Sequence, residues 1–153
     1  MVAVHTLEVL PTVEELNQTV GRAFLARLRT LIDEAGAASR INLAISGGAI
    51  TTSLLPSLLP FVGEVDWSRV RVWLVDERYV ASGDTDRNDD QAWEGFFRAA
   101  PGVEFVRMPT SDASAPGAGS LDEATTAFAN TWRELMGERS FDIALIGMGP
   151  DGN

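Results

Sequence analysis

Apolar side chains recur three and four positions apart from Leu16 through Val20, Phe24 and Leu28 to Leu31 and Ile32. That spacing places them on one face of a helix. Ahead of it stands Thr12-Val13-Glu14-Glu15, a capping box in which Thr12 accepts from the Glu15 N–H and Glu15 reaches back. Gly36 marks the end. Before this helix, HTLEVL (5–10) alternates loosely and predicts a first strand. After it, INLAIS (41–46) reads as a short apolar strand and SGG (46–48) as a tight turn. A short helix follows, with Leu54, Leu55, Leu58 and Leu59 expected to be buried and Pro60 closing it.

The segment VDWSRVRVWLVDER (65–78) holds a turn, a strand over 70–75 and a polar end. ASGDTDRNDD (81–90) is a loop, and Asn88 or Asp89 at its close can cap a helix carrying Trp93, Phe96 and Phe97. VEFVRM (103–108) predicts another strand, TSDASAPGAGS (110–120) a mobile small-residue loop, and 121–136 an amphipathic helix ended by Gly137. FDIALIG (141–147) is the last strand. Strands therefore alternate with helices, which means an α/β fold: a doubly wound, mostly parallel sheet with helices on both faces. Strands 41–46 and 141–147 show little alternation, as expected of strands buried on both faces. No repeat or linker divides the chain, so residues 1–153 read as a single α/β domain. Ligands in such sheets bind beyond the carboxyl ends of the strands. Three loops fall there: SGG, DER (76–78) and GMGPDG (147–152).

Composition narrows the chemistry. The chain has no cysteine and a net charge of −10, and its twelve basic residues are all arginine. This disfavours nucleic acid and anionic membranes as partners, since both need a cationic face. It leaves room for a small anion held by a few arginines and backbone N–H groups. The lack of thiols, of a basic leader and of a long apolar run fits a cytoplasmic protein. Asp84, Asp86, Asp89 and Asp90 lack calcium-loop spacing and read as a solvated loop. The Trp and Phe residues sit mostly at core spacing.

Each of the three loops admits a functional and a plain reading. Ser46-Gly47-Gly48, between strand and helix, can bring backbone N–H groups to a phosphate, and is equally a simple turn. In Asp76-Glu77-Arg78 a carboxylate can act as a base or hold a substrate hydroxyl while Arg78 pairs with either acid. A solvated strand end with a local ion pair fits the same residues. Gly147, Gly149 and Gly152 lack the spacing of a dinucleotide fingerprint, and Pro150-Asp151-Gly152 is strong turn chemistry.

Taken in order, SGG, VDWSRVRVWLVDERYV, an Asn ten residues beyond Arg78 and FDIALIGMGPDG resemble the 6-phosphogluconolactonase family, grouped with the glucosamine-6-phosphate isomerases and deaminases. The resemblance implies a Rossmann-like doubly wound core and hydrolysis of 6-phospho-D-glucono-1,5-lactone to 6-phosphogluconate, in the oxidative pentose phosphate pathway. It implies no metal or organic cofactor, and a small sugar phosphate as partner. Carried onto this chain, Ser46, Gly47 and Gly48 would lie against the phosphate, and Asp76 would face the sugar ring with Arg78 in support. Asn88 would shape the same crevice, and Gly147, Gly149, Asp151 and Gly152 would wall the lactone.

Three departures stand out. The family's SGGSTP is SGGAITT here, so hydroxyls would come from Thr51 and Thr52 in place of Ala49 and Ile50. The histidine of its DGH loop, the expected general base, is Asn153, whose amide has no useful basicity. Family members are also substantially longer, so these residues are expected to be the N-terminal part of a longer lactonase domain, with the remaining phosphate-clamping residues outside them. A non-catalytic sugar-phosphate-binding domain and an amino-sugar-phosphate isomerase or deaminase remain the competing readings. A nicotinamide-binding domain ranks below both.

Overall fold

A computed structural model describes residues 3–112 and 119–153. In chain order it contains α1 (Val13–Glu34), β1 (Ile41–Ile45), α2 (Leu55–Ser57), β2 (Val70–Leu74), α3 (Asn88–Gly95), β3 (Glu104–Val106), α4 (Leu121–Leu135) and β4 (Ile143–Leu145). A π-helical turn over Ile50–Leu54 leads into α2, and a 3-10 stretch over Leu59–Glu64 continues past Pro60, which therefore does not close the helix. Most of the 110–120 loop lies outside the described residues.

The first helix starts where its cap predicts. Thr12 is extended, and its side chain accepts from the Glu15 N–H at 3.1 Å, while Glu14 and Glu15 complement the helix N-terminus. Phe24, Leu25 and Leu28 are buried on the expected face, but Leu16 is exposed, because that face meets the sheet only further along. Gly21 lets α1 close on α2, since a β-carbon there would collide with Leu58 Cδ2.

The four strands are parallel, in the order β3-β2-β1-β4. β1 and β2 pair from Ile41 against Val70 to Ile45 against Leu74. Alternation sorts their side chains onto two faces. Ile41, Leu43, Ile45, Val70, Val72 and Leu74 join α1, α2 and α3 in the main core. Trp73 and Val106 point the other way, where Phe128 and Trp132 of α4 and Met136 just after it cover them. Trp73 and Trp132 meet edge to face at 5.0 Å between centroids. Asn42, buried on this second face, accepts the Trp73 indole N–H at 3.1 Å, so neither polar group is left unpaired.

Two expectations about strands fail. Residues 5–10 form no strand: Leu7 and Val9 are exposed and the segment pairs with neither outer strand. Alternation supplies a tendency, and a strand exists only where a neighbour accepts its hydrogen bonds. β4 is not buried on both faces either. It lies at the sheet margin of the described residues, and Ala144 and Ile146 are exposed. Asp142 secures its start, since its Oδ2 accepts the Asn42 N–H at 2.7 Å and its own N–H donates to the Asn42 carbonyl at 2.9 Å.

Candidate functional site

The chain moves outward from β1 to β2 and β3, then returns to the other side of β1 as β4. The order of strands reverses between β1 and β4, and the crevice of a doubly wound sheet opens at such a point, beyond the carboxyl ends. The loops that follow these two strands are bonded together there. Ser46 N–H donates to the Leu145 carbonyl at 3.0 Å, and Gly147 N–H donates to Ser46 Oγ at 2.8 Å.

Gly48 takes a left-handed φ of 63°, which turns the chain out of β1 and into the π-helical turn. Its carbonyl accepts from the hydroxyls of Thr51 and Thr52 at 3.0 and 2.9 Å. These two hydroxyls thus brace the turn itself.

The DER loop joins the same crevice through Asn88. This buried side chain donates Nδ2–H to the Asp76 carbonyl at 3.2 Å and to Asp76 Oδ1 at 3.4 Å, and its Oδ1 accepts from Arg78 Nη1 at 3.1 Å. It also lies hard against Gly47, where a β-carbon would stand 2.5 Å from Asn88 Cγ. Gly47, Asp76, Arg78 and Asn88 are therefore one contact group, with Asp76 and Arg78 exposed at its surface. Among the described residues the Arg78 guanidinium bonds to Asn88 and to neither acid beside it, which corrects the expected ion pair. A cleft of about 160 Å³ borders the same loop, between Glu77–Arg78–Tyr79 and the start of α4. A wider groove of about 580 Å³ lies between α1 and Phe61 and shares no residue with these loops.

Glu77 carries a role that sequence reasoning missed. Neither of the expected caps, Asn88 and Asp89, stands at the N-cap of α3, which is Arg87; both lie inside its first turn, where Asp89 Oδ1 accepts the Asp90 N–H at 2.7 Å. Instead the Glu77 carboxylate accepts the N–H of Asn88 on Oε1 and of Asp89 on Oε2, both at 2.8 Å. Behind it sits Arg87, with 1% of its side chain exposed, gripping Asp89 with Nε and Nη2 at 3.2 and 2.7 Å. Asp89 is as deeply buried as Arg87, which corrects its assignment to a solvated loop. Burial alone would lower the Arg87 pKa, but the bonds and charges of Asp89, with those of Glu77 and Asp90, raise it above the ordinary arginine value. Burial alone would raise the Asp89 pKa, but Arg87 and then Arg107 hold it below the usual carboxylate range. The signal that could have found this cluster is an arginine between acids at the threshold of a helix.

The third glycine loop closes on itself. Gly152, with φ of 84°, donates its N–H to the Gly149 carbonyl at 3.0 Å, and the Gly149 N–H donates to the Asn153 carbonyl. Asn153 donates its backbone N–H to Asp151 Oδ1 at 3.1 Å and its amide to Oδ2 at 3.2 Å, which keeps the Asp151 carboxyl below its usual range. No hydrogen bond of Gly149, Asp151, Gly152 or Asn153 among the described residues reaches Asp76, Arg78 or Asn88. Gly147 alone of this loop meets the first one.

Parallel strands, a reversal point and three converging loops define an α/β protein of the doubly wound class. The family profile described as glucosamine-6-phosphate isomerases/6-phosphogluconolactonase matches residues 11–153, and the chain belongs to that family. It is 29% identical over 144 residues to a 6-phosphogluconolactonase of Streptomyces coelicolor, covering 88% of this chain and 55% of the relative. It is 32% identical over 138 residues to one of Mycobacterium leprae, covering 83% and 53%. The crystal structure of a 6-phosphogluconolactonase from Shewanella baltica superimposes with a TM-score of 0.69 at 27% identity, over 94% of this chain and 57% of that one. That from Leishmania guyanensis gives 0.75 at 20% identity and shares the fold. The chain thus spans a little over half the length of these relatives.

Proposed function

We propose that the whole protein hydrolyses 6-phospho-D-glucono-1,5-lactone to 6-phosphogluconate, and that residues 1–153 are one α/β domain supplying the N-terminal wall of that site. The supporting observation is the contact group around Asn88, which ties an exposed carboxylate, an exposed guanidinium and a glycine loop to one crevice. Lactone hydrolysis needs an anion cradle, a polarised carbonyl and an oriented water. In this reading Gly47 and Gly48 with Ser46 meet the phosphate, and Arg78 neutralises charge near it. The Asp76 carboxylate faces the ring and orients a hydroxyl or the attacking water. Gly147, Gly149, Asp151 and Gly152 wall the lactone, and Asn153 occupies the position of the base and directs a water without taking its proton.

The test is turnover of the lactone by the full-length protein and by Asp76→Asn. Wild-type turnover that falls at least about 100-fold in the variant supports the reading, and equal rates in the two remove Asp76 from it. A second reading, sugar-phosphate binding without turnover, draws on one observation: the amide at position 153 is tied to Asp151 and has no basicity. Binding of 6-phosphogluconate with no hydrolysis would favour it.

A further inference from the structure

Arg87 spends its guanidinium on backbone. Nη1 donates to the carbonyls of Arg78 at 2.9 Å and Pro109 at 3.3 Å, and Nη2 donates to that of Met108 at 2.8 Å. The remaining fork holds Asp89. These partners sit in three separate segments: the loop after β2, the loop after β3 and the first turn of α3. Glu77, 3.9 Å from Arg87 Nε, completes the arrangement by holding the N–H groups of Asn88 and Asp89. Asn88 is thereby fixed along its backbone from below, while its side chain meets Asp76, Arg78 and Gly47 above.

A buried ion cluster is a poor way to stabilise a fold, since apolar residues of similar volume often do as well or better. What a planar five-donor fork supplies, and an apolar side chain or a lysine does not, is fixed geometry among several acceptors. Here that geometry is delivered to the two exposed charged groups of the crevice.

We propose that Arg87 is a positioning residue of this site: through Glu77, Asp89 and the Arg78 carbonyl it sets the place of Asn88, and thereby of the Asp76 carboxylate and the Arg78 guanidinium. The proposal rests on the lactonase reading in taking Asp76 and Arg78 as the groups that face substrate. Arg87 bonds to neither the Asp76 carboxylate nor the Arg78 guanidinium.

The experiment compares full-length wild type, Arg87→Lys and Arg107→Gln. Arg107 pairs with Asp89 and Asp90 from the solvent side, at 3.3 and 2.7 Å. Its bonds reach none of the three carbonyls, so it controls for cluster stability. The readouts are the thermal midpoint, kcat and KM for the lactone, and solvent exchange of the Asn88 side-chain amide protons by NMR. Arg87→Lys is expected to lower kcat per folded molecule about 10- to 100-fold, as a misplaced group does, with a smaller change in KM. It should also speed Asn88 exchange. Arg107→Gln should lower the midpoint alone. Wild-type kcat and exchange in a folded Arg87→Lys overturn the proposal, and so does an equal loss of kcat in Arg107→Gln. If Arg87→Lys does not fold, Asp89→Asn keeps an acceptor for the fork: smaller losses in the same direction support the proposal, and wild-type values overturn it. A wild type without turnover overturns the lactonase reading instead, and Asn88 exchange then decides the positioning role by itself.

Discussion

Gly47 and Asn88 fit together with no room for a side chain between them: a β-carbon on Gly47 would stand 2.5 Å from Asn88 Cγ. Asn88 cannot easily yield, because it is buried and its two amide ends are engaged by Arg78 and Asp76. Gly47→Ala is therefore expected to cost about 1–3 kcal/mol of stability as an overpacked contact. It should also cost more than tenfold in lactone turnover, because Asp76 and Arg78 move with Asn88. Urea unfolding and steady-state kinetics on the same preparation check both. Unchanged values for the two would mean that the Asn88 side chain is free to swing away.

Glu77 caps α3 from a distance of eleven residues. Glu77→Gln keeps one acceptor and replaces the other with a donor, so one of the N–H groups of Asn88 and Asp89 loses its partner. Leaving a buried donor unsatisfied costs about 1–3 kcal/mol, and loss of the charge beside Arg87 adds to it. The expected outcome is a lower midpoint in guanidinium with an unchanged slope. Stability equal to wild type would show that water or another group satisfies the freed N–H.

Much of this architecture was legible along the chain. The spacing from Val20 to Ile32 and the cap at Thr12 both appear where the structure has them, because a helix is specified by neighbours within one or two turns. The parallel sheet and the three loops beyond its strands followed from the alternation of elements. What was not legible depended on partners far away in sequence. Residues 5–10 alternate but find no strand to pair with, and Leu59 is exposed because its stretch turns outward as a 3-10 segment. Asp89 looks like one acid of a solvated run until Arg87 folds over it. Within the candidate site, Asp76, Arg78 and Asn88 lie together as hydrogen-bonded neighbours, while beneath them an arginine between acids at a helix start hints at the buried cluster without naming the distant carbonyls and N–H groups that Arg87 and Glu77 engage.

The ion cluster sets an acid limit. Burial pushes the Asp89 carboxyl up, and Arg87 and Arg107 overcome this and hold it below the usual carboxylate range. A depressed folded pKa contributes stability that is fully present above the ordinary carboxylate value of about 4 and is lost as pH falls through the folded value. Wild-type stability should therefore decline below about pH 4 more steeply than that of Asp89→Asn, which has no carboxyl to protonate there. Denaturant unfolding of both proteins between about pH 6 and pH 2 measures the difference. Parallel curves would remove Asp89 from the acid response.

On the opposite face of the sheet, Asn42 accepts the indole N–H of Trp73 at 3.1 Å, and both residues are buried. Asn42→Ala leaves that N–H without a partner among apolar rings and opens a small void. The expected loss is about 1–3 kcal/mol for the orphaned donor. Turnover of the folded fraction should be unaffected, because Asn42 lies near the amino end of β1, at the opposite end of the strand from the crevice loops. Thermal unfolding followed by tryptophan fluorescence, with kcat measured in parallel, checks both halves. A fall in kcat per folded molecule would mean that this face is coupled to the loops beyond the strands.

Asn153 donates its amide to Asp151, and Asp151 stays anionic. Asn153→His in the full-length protein would place an imidazole beside that carboxylate. A neighbouring anion favours the imidazolium and raises its pKa above the ordinary value of about 6.5. A base must be neutral to take a proton, so its contribution to kcat grows as pH rises through that pKa. If position 153 is where the attacking water is activated, the variant should turn over lactone faster than wild type, by about 100-fold or more. The gain should appear above about pH 7 and fade below it. A pH profile of kcat from about 5 to 9 for both proteins measures this. No gain at any pH would mean that the water lies elsewhere and that Asn153 serves only to close its loop.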